Sequence, residues 1–314
     1  MRFVETILSC KPILTEGSVV ERLRRESSIP LDPHIAHAGF VYDENGRADL
    51  STLYRQYFDI GMKYNLPMIG FTPTWRTSQL KLRLAGFDDS MDVNGDCVRF
   101  VRGIRQQYAE YGTRIFIGGL VGCKGDAYDP KDALPSDEAP AFHRFQLRAL
   151  ATAGVDFLFG ATLPAFSEAL GLASAMAGCD VPYALSFVLR ADGSLLDGTA
   201  LHEAIGKIDS TVQPPPLFYM SNCVHPSALA GALEIATRNR KGLNERLIGL
   251  QANSSRKSPA ELNNRASLDS GDPESIADSM LHLRHRFGLR VLGGCCGTDH
   301  RHIECIAKRL VAGR

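Results

Sequence analysis

The sequence predicts an α/β protein folded as a single (β/α)8 TIM barrel. Eight short apolar or β-branched runs recur along its 314 residues, each followed by a longer stretch with helical spacing. Those runs are continuously apolar, as expected for parallel strands covered on both faces. Two doubly wound domains would instead show a linker and a glycine-rich phosphate turn, and the chain has neither a G-x-G-x-x-G nor a Pro/Gly/Ser linker near its middle. Residues 1–314 are therefore expected to form one domain.

The strands are expected at Pro12–Leu14, Pro67–Phe71, Arg114–Gly118, Val155–Phe159, Pro182–Val188, Pro216–Met220, Arg246–Leu250 and Arg290–Leu292. Between them, Val93–Tyr111 carries Val93, Cys97, Phe100, Val101 and Ile104 on one helical stripe. A second helix is expected to open at Ser136 and run to Ala153, with Phe142, Phe145, Leu147 and Leu150 inward. Asp272 and Asp299 are N-cap candidates, and Pro273 fits a first turn. The long polar loops Gly122–Asp137 and Gln251–Asp272 follow strand ends, so in a barrel they lie on the active-site face.

Composition excludes several classes. Apolar residues make up 44% and charged residues 22%, an ordinary globular balance. Lys plus Arg equals Asp plus Glu, which gives no electrostatic pull toward nucleic acid or a membrane surface. No run approaches the roughly 18 apolar residues of a membrane span. Glu5 interrupts the short apolar N-terminal run, making it a poor secretion signal. Eight irregularly spaced cysteines fit a reducing cytoplasm better than a disulfide framework.

Chemistry concentrates in two clusters. Cys295 and Cys296 stand in Leu292-Gly-Gly-Cys-Cys-Gly-Thr298, and Cys223 in Ser221-Asn-Cys-Val-His-Pro226. The first lies just after the eighth strand and the second just after the sixth, so both reach the C-terminal mouth. Gly293, Gly294 and Gly297 let the backbone bend so that both neighbouring thiols face one point. Three thiolates there would make a soft site favouring Zn2+, with a fourth position open for a substrate thiol. Coordination would hold that thiol ionised, although its free pKa is about 8.5. Two other readings stay open on spacing alone. The cysteines could be small buried hydrophobes, as expected of Cys10, Cys97, Cys123, Cys179 and Cys305, or Cys295 and Cys296 could form a vicinal disulfide.

The surrounding residues narrow these readings. Gly293-Gly-Cys-Cys-Gly-Thr298 and Asn222-Cys-Val-His-Pro226 resemble the homocysteine S-methyltransferase family, zinc-dependent thiol methyltransferases related to betaine–homocysteine and S-methylmethionine–homocysteine methyltransferases. The resemblance extends through Phe142–Asp156 and Ser186–Thr199 and covers nearly the whole chain. It implies a (β/α)8 barrel with zinc on Cys223, Cys295 and Cys296, the three catalytic positions. It further implies methyl transfer from an onium or methyl-folate donor to a zinc-held thiolate, with homocysteine giving methionine. The expected partners are thus a small-molecule thiol acceptor and a methyl donor, without nucleic acid or membrane, and with homo-oligomer formation left open. An onium donor suits an aromatic pocket, for which Trp75, Tyr128 and Phe71 are candidates.

Two positions depart from the family pattern. Its first strand normally ends in Asp-Gly-Gly, whereas this chain reads Thr15-Glu-Gly-Ser18, so Glu16 and Gly17 are expected at the substrate. After strand four the family usually carries Glu-Thr-x-Pro, and here Ala161 stands in place of the Glu that holds the amino group of homocysteine. Losing that charge-assisted hydrogen bond costs roughly 1.5–3 kcal/mol of binding. Arg76, in the loop beginning Thr72-Pro-Thr-Trp, is placed to clamp a carboxylate. Ala161 and Arg76 together motivate the expectation of a different thiol, such as one without an α-amino group, or of homocysteine held differently; the loss of the Glu at Ala161 also leaves open a non-catalytic metal- or thiol-binding relative.

The remaining substrate-site candidates are Thr72, Asn222 as a support of the metal site, and Asn253 at the end of strand seven. His225 reads as a strand–helix junction residue, and His300 and His302 as unneeded competitors for the metal. Asp32-Pro-His-Ile-Ala-His-Ala-Gly39 is superficially similar to a cobalamin-binding motif, but its glycine is two positions too far along.

Overall fold

A computed structural model describes residues 2–239, 242–256 and 270–312. Eight parallel strands close into a barrel in sequence order: β1 (Ile13–Thr15), β2 (Met68–Phe71), β3 (Ile115–Val121), β4 (Phe157–Leu163), β5 (Tyr183–Phe187), β6 (Phe218–Val224), β7 (Leu247–Ala252) and β8 (Val291–Gly294). Closure is made by β1 against β8, with Ile13 opposite Val291 and Leu14 opposite Leu292. The principal helices alternate with them: α1 (Glu44–Lys63), α2 (Val93–Gln106), α3 (Ala139–Ala153), α4 (Phe166–Ala177), α5 (Leu201–Thr211), α6 (Pro226–Asn239), α7 (Pro273–Phe287) and α8 (His300–Ala312). All eight strands fall on the expected runs. Part of the expected Gln251–Asp272 loop, residues 257–269, lies outside the described residues.

The core forms two shells. Inside the barrel, Phe116, Phe157 and Phe218 fill the lower end, and Phe71 stacks on Phe159 above them at 4.7 Å between ring centroids. The N-terminal helix Arg2–Leu8 plugs the bottom, with Phe3 stacked on Phe157 at 4.2 Å. The short apolar run at the N-terminus is therefore a barrel stopper. The outer shell packs strands against helices, including the predicted α2 stripe of Val93, Cys97, Phe100, Val101 and Ile104.

Element ends follow local chemistry. The Asp92 carboxylate accepts the Gly95 N–H at the start of α2, and Asp272 accepts that of Ser275 at the start of α7. The Asp299 carboxylate takes the Arg301 N–H at the start of α8. Helix α3 begins three residues after the expected Ser136, and its deepest positions include His143 and Gln146, with Phe142 and Phe145 only half-buried. The polar residues win because the β2 loop needs partners: the Gln146 Nε2 donates to Thr74 O at 2.6 Å and Leu120 O at 3.1 Å. Among the scattered cysteines, Cys97 and Cys123 are buried as expected, but Cys10 is exposed and Cys179 and Cys305 are half-buried. Cys10 follows the N-terminal helix, so the barrel floor covers Phe3 and Ile7 and leaves the thiol outside.

Candidate metal centre

Strand β6 runs further than its apolar residues suggested, through Ser221-Asn222-Cys223 to Val224. Cys223 therefore lies within the strand, not after it. Barrel strands carry polar groups at their C-terminal ends, where they face the site. Asn222 turns inward, with its Oδ1 accepting the Ser186 hydroxyl at 2.6 Å and the Thr162 N–H at 3.1 Å. Strict alternation would turn Cys223 outward, but the ladder slips between Asn222 and Val224 and Cys223 adopts φ +57°. This bulge re-aims the thiol toward the mouth. Thr162 repeats the device on β4, at φ +54° in a second register shift. A β-branched residue there is held against its preference. What holds it is the Asn222 side chain on its N–H and the Trp75 indole Nε1, which donates to its Oγ1 at 2.9 Å.

Cys295 and Cys296 sit in a tight turn above β8. The Cys295 N–H donates to Ala252 O at 2.7 Å, and the Cys296 carbonyl accepts from Ser254 N at 3.1 Å. The Thr298 hydroxyl closes the turn on Cys295 O at 2.7 Å, and Gly297 occupies φ +79°. The glycines before the pair act by close approach. A Cβ on Gly293 would lie 1.9 Å from Thr15 Oγ1, and one on Gly294 would lie 2.0 Å from Thr298 Oγ1.

The three sulfurs lie within 4.8 Å of one another, the one group of metal-ligating side chains found among the described residues. Cys223 and Cys295 are paired in this structure, with Cα atoms 5.5 Å apart, while the Cys296 thiol is free. Cys295 and Cys296, the neighbours considered as a vicinal disulfide, are not joined to each other. The donor set fits a soft cation: reduced, it offers three sulfurs to one point. Burial, with Glu21 adding, pushes the Cys296 thiol up to about 11, so a cation is needed to ionise it near neutral pH. Tyr128 is the aromatic candidate that reaches a thiol, its hydroxyl 4.0 Å from Cys296 Sγ. Phe71 is core, and Trp75 supports Thr162.

The other expected residues ring this point. Glu16 is buried, and its Oε2 accepts the Phe71 N–H at 2.9 Å. Gly17 is crowded by the Tyr57 hydroxyl, 2.9 Å from a would-be Cβ. Thr72 Oγ1 accepts the Leu120 N–H at 3.0 Å, tying β2 to β3. Asn253 donates through Nδ2 to Cys223 O at 3.1 Å, and its buried Oδ1 has no partner. Arg76 is half-buried above the Trp75 ring. Ala161 faces the barrel interior with Phe71 and Phe159. His225 Nδ1 accepts the Ser227 N–H at 3.2 Å, a helix junction as expected. His302 is held between Asp299 and Ser270 O, away from metal duty. Thr162, Ser186 and Glu21 were not singled out; only the inward alternation along β5 signals Ser186.

Desolvation raises the Glu16 carboxyl from 4.5 to about 8, the Phe71 N–H opposing it. Glu16 thus stays protonated in the fold over a range where the unfolded chain ionises. Its contribution to stability is full below pH 4.5 and is lost as pH rises through about 8. Urea melts of metal-free Glu16→Gln should show the variant gaining on the wild type between pH 5 and pH 9. An equal difference at both pH values would remove this assignment.

The family model described as homocysteine S-methyltransferase matches residues 13–310. A homocysteine S-methyltransferase of Escherichia coli (strain K12) is 26% identical over 251 residues, covering 76% of this chain and 78% of that protein. Homocysteine S-methyltransferase YbgG of Bacillus subtilis (strain 168) is 27% identical over 184 residues, covering 58% of this chain and 56% of that protein. Among solved structures, the homocysteine methyltransferase MmuM from Escherichia coli superposes in its metallated form with a TM-score of 0.78 over 98% of this chain and 99% of that one. Its oxidized form matches equally well. At 21% identity that likeness is one of fold. The family match spans every strand of the barrel and all three mouth cysteines, and this chain belongs to the homocysteine S-methyltransferase family of transferases.

Proposed function

We propose that residues 1–314 form one catalytic domain that moves a methyl group from an onium or methyl-folate donor to a thiol, with homocysteine giving methionine as the acceptor that family membership supports. The observation that carries this reading is the convergence of Cys223, Cys295 and Cys296 within 4.8 Å at the C-terminal mouth. Those residues would hold one zinc ion, which supplies a Lewis acid that keeps an incoming thiol ionised. The acceptor sulfur's lone pair forms the new S–CH3 bond as the donor's C–N or C–S bond breaks. The departing electron pair leaves an onium donor as a neutral amine or thioether; on a methyl-folate it stays on the nitrogen, which takes up a proton from solvent, and in either case the acceptor's own proton goes to solvent.

The chain's other residues position and enclose. Asn222 steadies the Cys223 bulge, its Nδ2 lying 3.8 Å from that sulfur. Asn253 anchors the same residue's carbonyl and offers its unpartnered Oδ1 to substrate. Glu16 and Gly17 line the β1 side, and Thr72 braces the β2 loop that carries Arg76. Tyr128 caps the Cys296 side. No described helix is long and apolar enough to cross a membrane. We place the enzyme in the cytoplasm, where reducing conditions keep Cys223 and Cys295 as thiols.

The test is metal content of the reduced protein, followed by cobalt substitution. About one zinc per chain is expected, and homocysteine should add a sulfur-to-cobalt absorption band. Absence of stoichiometric metal would defeat the proposal.

A further inference from the structure

The wall of the mouth beside Ala161 carries two cations without partners. Arg76 lies with its guanidinium carbon 5.4 Å from the Trp75 ring centroid, and its Nε is buried with no hydrogen bond. Lys81 is half-buried and within electrostatic reach of Arg76, and Cys123 of the β3 loop is within reach of both. Among the described residues neither cation has an ion-pair partner. The nearby carboxylates Glu168 and Asp126 offset part of this charge but spend their hydrogen bonds on other groups. Glu168 takes the Lys124 and Leu134 N–H groups and His143 Nε2, and Asp126 takes the Tyr128 N–H. Burial and then Arg76 lower Lys81 to about 8, with Cys123, Glu168 and Asp126 opposing. Two half-buried cations at close quarters are costly unless an anion joins them.

Ala161 itself gives an ammonium group no side-chain acceptor, and the acceptors of the mouth, Asn253 Oδ1 and the Glu16 carboxyl, belong to β7 and β1. Trp75, beneath Arg76, donates to Thr162, and Thr162 follows Ala161. Phe71, Phe159 and Ala161 line the adjoining interior without one hydrogen-bond acceptor among their side chains. The segment after β2 that holds both cations approaches the sulfurs through Trp75–Thr162–Asn222, and the neighbouring β3 loop does so through Tyr128.

We infer that Arg76 and Lys81 form a carboxylate-binding site at the mouth, selecting a mercaptocarboxylate acceptor without an α-amino group. This rests on the proposed thiol methyl transfer and replaces homocysteine as its preferred acceptor. The carboxylate bridges the two cations while the thiol at the other end reaches the three cysteines.

The probes are 4-mercaptobutanoate, homocysteine and butanethiol, titrated against the cobalt band. The wild type should bind 4-mercaptobutanoate at least as tightly as homocysteine. Arg76→Gln should weaken it about ten- to a hundred-fold, with Arg76→Lys recovering part of the loss. Lys81→Gln should weaken it several-fold. Butanethiol, which lacks the anion, should be insensitive to all three changes. Calorimetry of 4-(methylthio)butanoate with metal-free, reduced protein gives a readout independent of metal, and thermal melting identifies any variant that fails to fold. Homocysteine binding more than about ten-fold tighter than its desamino analogue overturns the inference. So does a Gln variant that alters only the donor's KM. If no thiol moves the cobalt band while the thioether binds in an Arg76-dependent way, the carboxylate site stands and thiol methyl transfer fails.

Discussion

Replacing Cys296 with serine is expected to leave the barrel folded, unable to retain zinc and at least about a thousand-fold less active. Cys296 is half-buried at the mouth and contributes nothing to the aromatic interior, so folding should be little affected. Its sulfur is one of three that meet within 4.8 Å, and serine replaces a soft thiolate by a hydroxyl that stays protonated near neutral pH. Elemental analysis should fall from about one zinc per chain to near zero, with circular dichroism unchanged. This substitution also separates two uses of the same thiols. A protein working only through the Cys223–Cys295 pair would be indifferent to it, because that pair remains. Retained function without metal in Cys296→Ser would therefore convert the centre from a metal site to a redox pair.

Much of the fold was legible because barrel strands are buried on both faces and advertise themselves as apolar runs. The same rule misplaced their ends. Ser221 and Asn222 read as loop, yet β6 passes through them, since the functional end of a barrel strand is polar. Spacing brought the three cysteines to one mouth but could not show how Cys223 faces it. That depends on a bulge at φ +57° held through Asn222, and neither periodicity nor propensity encodes such a slip. Phe3 and Ile7 escaped notice for another reason: a seven-residue helix has too short a pattern to read, and its place under the barrel is a tertiary fact. Gln146 was hidden because a buried glutamine violates the apolar stripe and is explained only by the loop carbonyl groups it satisfies.

The glycines before the cysteine pair should prove as indispensable as the ligands. Gly294→Ala would place a methyl 2.0 Å from Thr298 Oγ1 and 2.7 Å from Thr298 Cβ. Thr298 cannot retreat freely, because its hydroxyl and its N–H both bind Cys295 O. The turn must open, at a cost of about 3 kcal/mol in stability. That displacement carries both thiols away from Cys223, so zinc affinity should fall about a hundred-fold or more. Gly293→Ala should be worse, since its methyl meets Thr15 Oγ1 at 1.9 Å and also the Thr15 carbonyl at 2.9 Å, backbone of the neighbouring strand. A second change distinguishes crowding from a need for backbone flexibility. Thr298→Gly added to Gly294→Ala removes the opposing atoms and should recover part of the lost stability, measured by urea unfolding. No recovery in the double variant would mean that Gly294 is required for its backbone freedom, and the close-approach account of this turn would have to be abandoned.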